Sequence, residues 1–326
     1  MKVRVYKSFR EQKDSKNIIR QVFSYLYVLS TIPYILLFFH RIKKYITNQY
    51  QKKYKHEVSL CMIFKNEARY LHEWLIYHQL IGIDHIYLYN NNSDDQYLEI
   101  ITPFINTGFV TLCQWPKDFA QREAYEDCYE RTKNETHWLG FIDADEFINL
   151  QSYDNISTFL NNYKNFPSVL LNWRMFGTSG RLFKNNKFII ESFTSCWPYL
   201  SNVGKSFINN DFAKFKIDIH CSISNLFYFP IYPVSTSKIF TPFMTSVFSS
   251  IFPNGNLAYI NHYWSKDYEH YLYKDYIKGD AMDSSNIQTR RRKGRFEYHE
   301  LQNYDRDYSI QRWLIFMKLL QNNKSI

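Results

Sequence analysis

The sequence predicts an α/β protein built on a mostly parallel, Rossmann-like sheet flanked by helices. Two observations carry that expectation. Short apolar runs alternate with segments of helical period between residues 56 and 147, and the runs end in polar clusters.

Residues 58–64 (VSLCMIF) form a continuous apolar run, as expected of a parallel strand covered on both faces. Asn66 is a candidate helix cap, after which Ala68, Leu71, Trp74, Leu75 and His78 recur at helical spacing until Gly82 offers a stop. Residues 85–89 (HIYLY) make a second strand, and the run from Asn90 to Asp95 is a turn able to cap a helix over 96–106. A third strand follows at 109–115 (FVTLCQW), then a helix over 119–133 and a fourth strand at 138–142 (WLGFI). Such alternation implies right-handed crossovers, and open α/β sheets bind ligands beyond the carboxyl ends of their strands.

After Phe147 the regularity fades. Residues 156–163 read as a short helix, 168–173 and 188–193 as strands, and 305–320 as a helix with Ile310, Trp313, Leu314 and Met317 on one stripe. Residues 225–256 are apolar and aromatic, with Lys238 as their one charge, and follow neither period. The expected organisation is a basic, hydrophobic segment over 1–55, one α/β domain over 56–265 and a helical extension over 266–326.

Hydrophobic residues make up 45% of the 326 and charged residues 22%, enough for a packed core. The net charge of +9 points to a negatively charged neighbour: nucleic acid, an anionic membrane or a phosphorylated substrate. Five cysteines, without a CxxC pair, argue against a disulfide framework or structural zinc and for a reducing compartment. Residues 22–39 (VFSYLYVLSTIPYILLFF) carry no formal charge, are flanked by Arg20, Arg41, Lys43 and Lys44, and are interrupted by Pro33. That length sits at the lower edge of a bilayer span. A membrane-embedded or interfacial anchor is expected, with a helix packed on the domain and a single span as alternatives.

The strongest chemical signal is WLGFIDADEFI, where an apolar strand delivers Asp143, Asp145 and Glu146 to its mouth. Carboxylates so close repel one another unless a cation neutralises them, and Mg²⁺ or Mn²⁺ could bridge them to a substrate diphosphate. A solvated acidic turn is the plain alternative.

Four blocks, FKNEARYLHEWLIYHQLIGIDHIYLYNNNSDD, WLGFIDADEFI, NWRMFGTSG and INHYWSK, occur in that order. Together they resemble glycosyltransferase family 92 and related bacterial, family 2-like enzymes of the GT-A fold, over roughly residues 58–279. The resemblance implies a GT-A domain that transfers a sugar, galactose from UDP-galactose among them, to a glycan hydroxyl with inversion. It places Asp143 on the ribose or metal and Asp145 on the metal, with His262 as a further metal ligand and His220 as its rival. Lys65, Asn66 and Glu67 close the first strand where such enzymes hold the nucleotide. Asn90, Asn92 and Asp94 sit where base or ribose contacts would fall, or serve only as turn formers and caps. Lys266 and Lys205 could neutralise diphosphate charge. Glu191 is the preferred candidate base for deprotonating the acceptor, ahead of Asp211 and Asp218, and Arg174 is a candidate phosphate or acceptor contact.

The apolar stretch before residue 256 and the basic run RRRKGR at 290–295 would suit an anionic membrane surface and a lipid-linked glycan acceptor. The implied location is the cytoplasmic face of a bacterial inner membrane. A Golgi type II protein is the alternative that the sequons at Asn91, Asn134, Asn155 and Asn323 permit. Two other functions compete with this reading. A nucleotidyltransferase would want a glycine-rich loop that FKNEARY lacks. Nucleic-acid binding is opposed by the acidic strand end, so no nucleic-acid partner is expected.

Overall fold

The computed structural model describes residues 18–46, 53–242, 257–274 and 294–322. The predicted first half forms as expected. Strands β1 (His56–Phe64), β2 (His85–Asn90), β3 (Val110–Gln114) and β4 (Thr136–Phe141) alternate with helices α3 (Ala68–Leu80), α4 (Tyr97–Asn106) and α5 (Gln121–Thr132). All three contacts among these strands are parallel, in the order β3-β2-β1-β4. The near-continuous burial of β1, β2 and β4 explains their unalternating apolar runs, whereas β3, at the sheet edge, is partly exposed. On one face, α3 buries Trp74 and Leu75 and is pinned to β5 (Glu146–Leu150): Trp74 Nε1 donates to the Glu146 carbonyl at 2.9 Å and Tyr77 OH to that of Ile148 at 2.6 Å. The opposite face is covered by α5 through Ala124, Tyr125 and Cys128.

The sheet as a whole is mixed, which corrects the mostly parallel expectation. Among the described residues it has eight strands, ordered β3-β2-β1-β4-β8-β6-β12-β5. Here β6 is Ser168–Met175, β8 Gly204–Asn209 and β12 Ala258–His262. Strand β8 is antiparallel to both β4 and β6, and β12 runs parallel to β6 but antiparallel to β5. Past β4 the described connections carry only short helices, and two of the four strands added beyond β4, β8 and β5, pair only antiparallel with their neighbours. The apolar, unperiodic stretch contributes a hairpin of β10 (Ile223–Leu226) and β11 (Phe229–Ile231), and its residues 243–256 lie outside the described residues.

Close approach of β8 to β6 depends on Gly204. A Cβ there would stand 1.9 Å from the Leu171 carbonyl oxygen and 2.7 Å from Asn172 Cα, both backbone atoms that cannot swing aside. Gly204→Ala is expected to cost about 1–3 kcal/mol, the usual penalty for overpacking, as a lowered urea midpoint with unchanged m-value. A wild-type midpoint would show that the two strands can part freely.

Two further elements differ from expectation. Residues 188–193, read as a strand, hold the short helix α7 (Ile189–Ser192), because the buried Glu73 carboxyl accepts from the Ile189 and Ile190 amides at 2.7 and 3.2 Å. The helix expected over 305–320 divides into β13 (Asp305–Arg306), a 3₁₀ turn (Ser309–Trp313) and α10 (Leu314–Asn322). Asp307 is the cause: it takes the Ser309 amide and hydroxyl as well as Tyr259 OH, stopping a continuous helix.

The membrane-anchored location is also corrected. The apolar run of 22–39 is broken at Ser30–Thr31 into α1 (Ile18–Leu29) and α2 (Ile32–Ile46), with Pro33 in the first turn of α2 where its missing N–H costs nothing. Among the described residues no helix is long and apolar enough to cross a membrane. Instead the pair packs on the domain. Tyr27 OH donates to the Pro230 carbonyl at 2.8 Å, its ring meets Tyr232 and Phe240 edge-on, and Lys44 pairs with Asp211 at 2.7 Å. The basic residues 290–293 and Asn323 lie outside the described residues.

Candidate functional site

Strand β4 ends at Phe141, and the chain then turns so that Asp143 and Asp145 stand at the carboxyl end of the parallel strands. The turn is self-supporting: Glu146 Oε2 accepts the Asp143 amide at 3.0 Å while β5 departs. Lys205, fully buried on β8, reaches in from the neighbouring strand. Its Nζ lies 2.8 Å from Asp143 Oδ2 and 3.9 Å from Glu146 Oε1. Burial opposes ionisation of Asp143, but the Lys205 ammonium outweighs it and holds the carboxyl below its ordinary range. Glu146 is more deeply enclosed, and burial pushes its carboxyl well above the usual value despite Lys205. Asp143 is further tied on its other oxygen, which accepts from Gln121 Nε2 at 2.9 Å and Tyr125 OH at 3.1 Å.

Asp145 belongs to a second set of partners. Lys274 Nζ is 2.5 Å from its Oδ2, and His262 Nε2 is 3.6 Å from its Oδ1. Burial again opposes ionisation, and Lys274 with His262 overcomes it, leaving the carboxyl well below its ordinary range. The sheet register brings His262 there, since β12 pairs His262 with Glu146 on one side and Met175 on the other. Trp173 lies between two imidazoles, tilted against His262 at 4.4 Å and edge-on to His220 at 5.1 Å.

Asp145 and His262 are the two side chains that could hold a divalent cation. They are an anionic oxygen and an imidazole in near contact, His262 Nε2 facing Asp145 Oδ1 at 3.6 Å. Among the described residues no group of three or more His, Cys, Asp or Glu could hold a metal ion. A cation would therefore rest on these two side chains plus oxygens brought by a ligand, a usual arrangement for ions that bridge phosphates. Asp143, with both oxygens already engaged, stands beside this pair.

The remaining expected residues divide by position. Lys266, fully buried with φ of 51°, has its Nζ 3.5 Å from Glu67 Oε2 and 3.8 Å from the Tyr70 ring centroid. Lys65 is half-buried at the end of β1. Asn66 is not the side-chain cap expected. It takes a left-handed φ of 52°, accepts from the Asp94 amide and donates its own amide to Ser93 Oγ, while Asp95 accepts from the Ala68 amide at the start of α3. The loops after β1 and β2 thereby staple each other. Asn90 is buried and committed to Tyr97, Gln114 and the Ser93 amide, whereas Asn92, with φ of 54°, is exposed. Arg174 is spoken for by Asp305 at 2.6 Å and Asp307 at 3.3 Å.

Glu191 is not brought to the acidic turn. Its carboxylate faces Lys318 at 3.1 Å and Lys187 at 3.6 Å. Asp211 pairs with Lys44, and Asp218 with Arg122 at 3.0 Å. Three members of the site escaped the sequence reading: Lys274, Gln121 and Tyr125. The last two had a signal, being polar residues at i and i+4 on the face of α5 that also carries Ala124 and Cys128.

Glu73 supplies a pH test of the shell around the site. Burial raises its carboxyl from 4.5 to about 7, against the pull of the two α7 amides. A carboxyl raised in the folded state contributes stability below its unfolded value that is lost as pH climbs through the folded one. Glu73→Gln should therefore flatten the fall of unfolding free energy between pH 4.5 and 7, by up to about 3 kcal/mol relative to wild type. Parallel wild-type and variant curves in urea titrations across that range would contradict this.

A model described as Glycosyltransferase family 92 matches residues 54–311. A Glycosyltransferase family 92 protein of Oryza sativa subsp. japonica is 33% identical over 138 residues, covering 41% of this chain and 24% of the relative. One from Ricinus communis is 33% identical over 130 residues (38% and 24%), and one from Arabidopsis thaliana 32% over 124 residues (35% and 22%). The chain thus spans about a quarter of the length of these curated relatives in the matched regions. Among solved structures, S. aureus TarS in complex with UDP-GlcNAc aligns at 15% identity and a TM-score of 0.34, over 47% of this chain and 45% of that one. That likeness is too low to inform the site. The family match covers well over half of the chain, and the chain belongs to glycosyltransferase family 92.

Proposed function

Because this chain is a member of glycosyltransferase family 92, we propose that it transfers a sugar from a UDP-sugar to a hydroxyl of a glycan, as a metal-dependent, inverting enzyme of the GT-A type. The observation that carries the proposal is the gathering of Lys205, Lys266 and Lys274 with Asp143, Asp145 and His262 around the carboxyl end of β4. Carboxylates compensated by two buried cations, Lys205 and Lys266, and a partly exposed one, Lys274, form a centre whose charge can be redistributed when a diphosphate arrives. The family resemblance points to galactose as the donor sugar.

In the proposed reaction an acceptor hydroxyl oxygen attacks the anomeric carbon and gives up its proton to water, the bond from that carbon to the β-phosphate oxygen breaks, and UDP leaves with the electron pair. A divalent cation, Mn²⁺ or Mg²⁺, held by Asp145 and His262 would supply Lewis-acid neutralisation of the diphosphate. Lys274, a third exposed and seated on Asp145, would exchange its carboxylate partner for a phosphate oxygen. Lys266, held beneath the chain by Glu67 and the Tyr70 ring, keeps a second positive charge at fixed distance without needing reorganisation. Asp143, oriented by Lys205, Gln121 and Tyr125, would receive ribose hydroxyls.

A donor screen tests this reading. The protein is incubated with UDP-galactose, UDP-glucose and UDP-N-acetylglucosamine in Mn²⁺, Mg²⁺ or EDTA, and UDP release is followed. Release from at least one donor, suppressed by EDTA, is expected; no release from any donor under any condition would remove the proposal's foundation.

A further inference from the structure

Helix α8 (Tyr268–Tyr273) is bracketed by two lysines of opposite freedom. Lys266, before it, is fully buried between Glu67 and the Tyr70 ring. Lys274 caps the other end, its backbone N–H donating to the His270 and Tyr271 carbonyls, and its side chain is 33% exposed. The start of the helix is fixed as well, because Asp267 accepts the His270 amide at 2.9 Å. The Lys274 ammonium can therefore swing while its backbone stays in place.

Its partner has no such freedom. The Asp145 side chain is 11% exposed, and its backbone carbonyl accepts the Tyr263 amide at 2.8 Å, one residue after His262. Lys274 Nζ sits 2.5 Å from Asp145 Oδ2, and the Oδ1 of that same carboxylate faces His262 Nε2 at 3.6 Å. The Trp264 carbonyl, 3.5 Å from Nζ, steadies the ammonium there.

Lys274 thus occupies the carboxylate on which a divalent cation would rest. Charge sets the two in competition. Lys274 offsets Asp145 as Lys205 offsets Asp143, so a bare cation beside His262 meets a neutralised carboxylate and a like charge close by. A nucleoside diphosphate changes this balance. Its oxygens offer the ammonium a second anionic partner, and when Lys274 moves to them Asp145 is released to the metal. Lys205 and Lys266, both enclosed, keep their own partners throughout.

We propose that Lys274 sets the order of binding: it closes the Asp145–His262 pair to a free divalent cation and opens it when a nucleoside diphosphate draws the ammonium away. Metal and nucleotide then enter as a coupled pair. The proposal rests on the metal-dependent glycosyltransferase reading and adds the condition under which its metal binds. The coupling is mutual, since the factor by which the nucleotide raises metal affinity is the factor by which the metal raises nucleotide affinity. A neutral side chain at 274 should therefore act in opposite directions, strengthening the metal alone and weakening UDP. A residue that only supported the fold would weaken both.

The experiment titrates Mn²⁺ into the full chain, as wild type, Lys274→Gln and Lys274→Arg, and reads free ion from its EPR signal. The titrations are repeated with UDP, after subtraction of the Mn²⁺–UDP association measured without protein. Wild type should bind Mn²⁺ about tenfold or more tightly with UDP than without it. Lys274→Gln should bind Mn²⁺ alone about tenfold more tightly than wild type does, whereas Lys274→Arg should resemble wild type. Adding Asp145→Asn to Lys274→Gln should abolish the gain, which places the ion on Asp145. The Lys274 side chain is partly exposed, so loss of fold is not expected; thermal melting checks it, and the wild-type comparison needs no variant. Mn²⁺ binding by wild type that is indifferent to UDP, or no gain in folded Lys274→Gln, overturns the proposal. Failure of wild type to bind Mn²⁺ even with UDP present would instead strike the metal-dependent reading itself.

Discussion

Asp145→Ala is expected to lower UDP release from the preferred donor by roughly 10²–10³-fold, the range seen when a group stabilising developing charge is removed. Asp145 is where the second half of the centre meets: Lys274 at 2.5 Å and His262 at 3.6 Å both lose their anion when it goes. Lys274 is 33% exposed and can turn to water, so the fold should survive and the loss should fall on turnover. His262→Ala should lower release as well, and excess Mn²⁺ should recover part of that loss if the remaining carboxylate still holds the ion weakly. Equal release by wild type and Asp145→Ala, at equal folded fraction, would detach the acidic turn from the chemistry.

Lys205→Met should be the most destabilising single change in the site, by about 1–3 kcal/mol, since the partly exposed Asp143 carboxylate loses its counter-charge and water replaces it only in part. The side chain is fully buried, lies 2.8 Å from Asp143 and has no route to water. Asp143 would then tend to take up a proton, so the loss should be larger at pH 8 than at pH 5. Adding Asp143→Asn should return part of the stability, because an amide needs no cation. Urea unfolding of the two single variants and the double variant measures this; a strictly additive cycle would show that the pair is not coupled.

The first four strands were legible because local signals coincide there with tertiary context. Runs such as residues 58–64 are apolar throughout because helices cover both faces, and each is followed by a polar turn. The second half of the sheet depends on partners far apart in sequence. Strand β8 enters between β4 and β6, and β12 joins β6 and β5, placements that no periodicity of residues 204–209 or 258–262 encodes. Likewise α7 is helical because Glu73 takes its first amides, an interaction across more than a hundred residues.

At the site, the placing of the acidic turn at a strand end was readable, and the register of β12 brings His262 beside it. Lys274 was not: nothing in YLYK says that its ammonium returns to Asp145. The asparagine-rich edge was readable as polar, but its division was hidden. Asn66 and Asn90 spend their side chains joining loops, leaving Asn92 exposed. Glu191 ends an apolar run, which makes it look like a buried base, but its carboxylate meets Lys187 and Lys318 away from the acidic turn.

Calorimetric titration of UDP into the protein in Mn²⁺ bears most directly on the centre at the end of β4. Saturable binding is predicted for wild type, with at least tenfold weaker binding in EDTA, in Asp145→Ala and in Lys274→Ala. No UDP binding by folded wild type, or an affinity that neither EDTA nor these variants alter, would contradict the assignment of the diphosphate to this cluster.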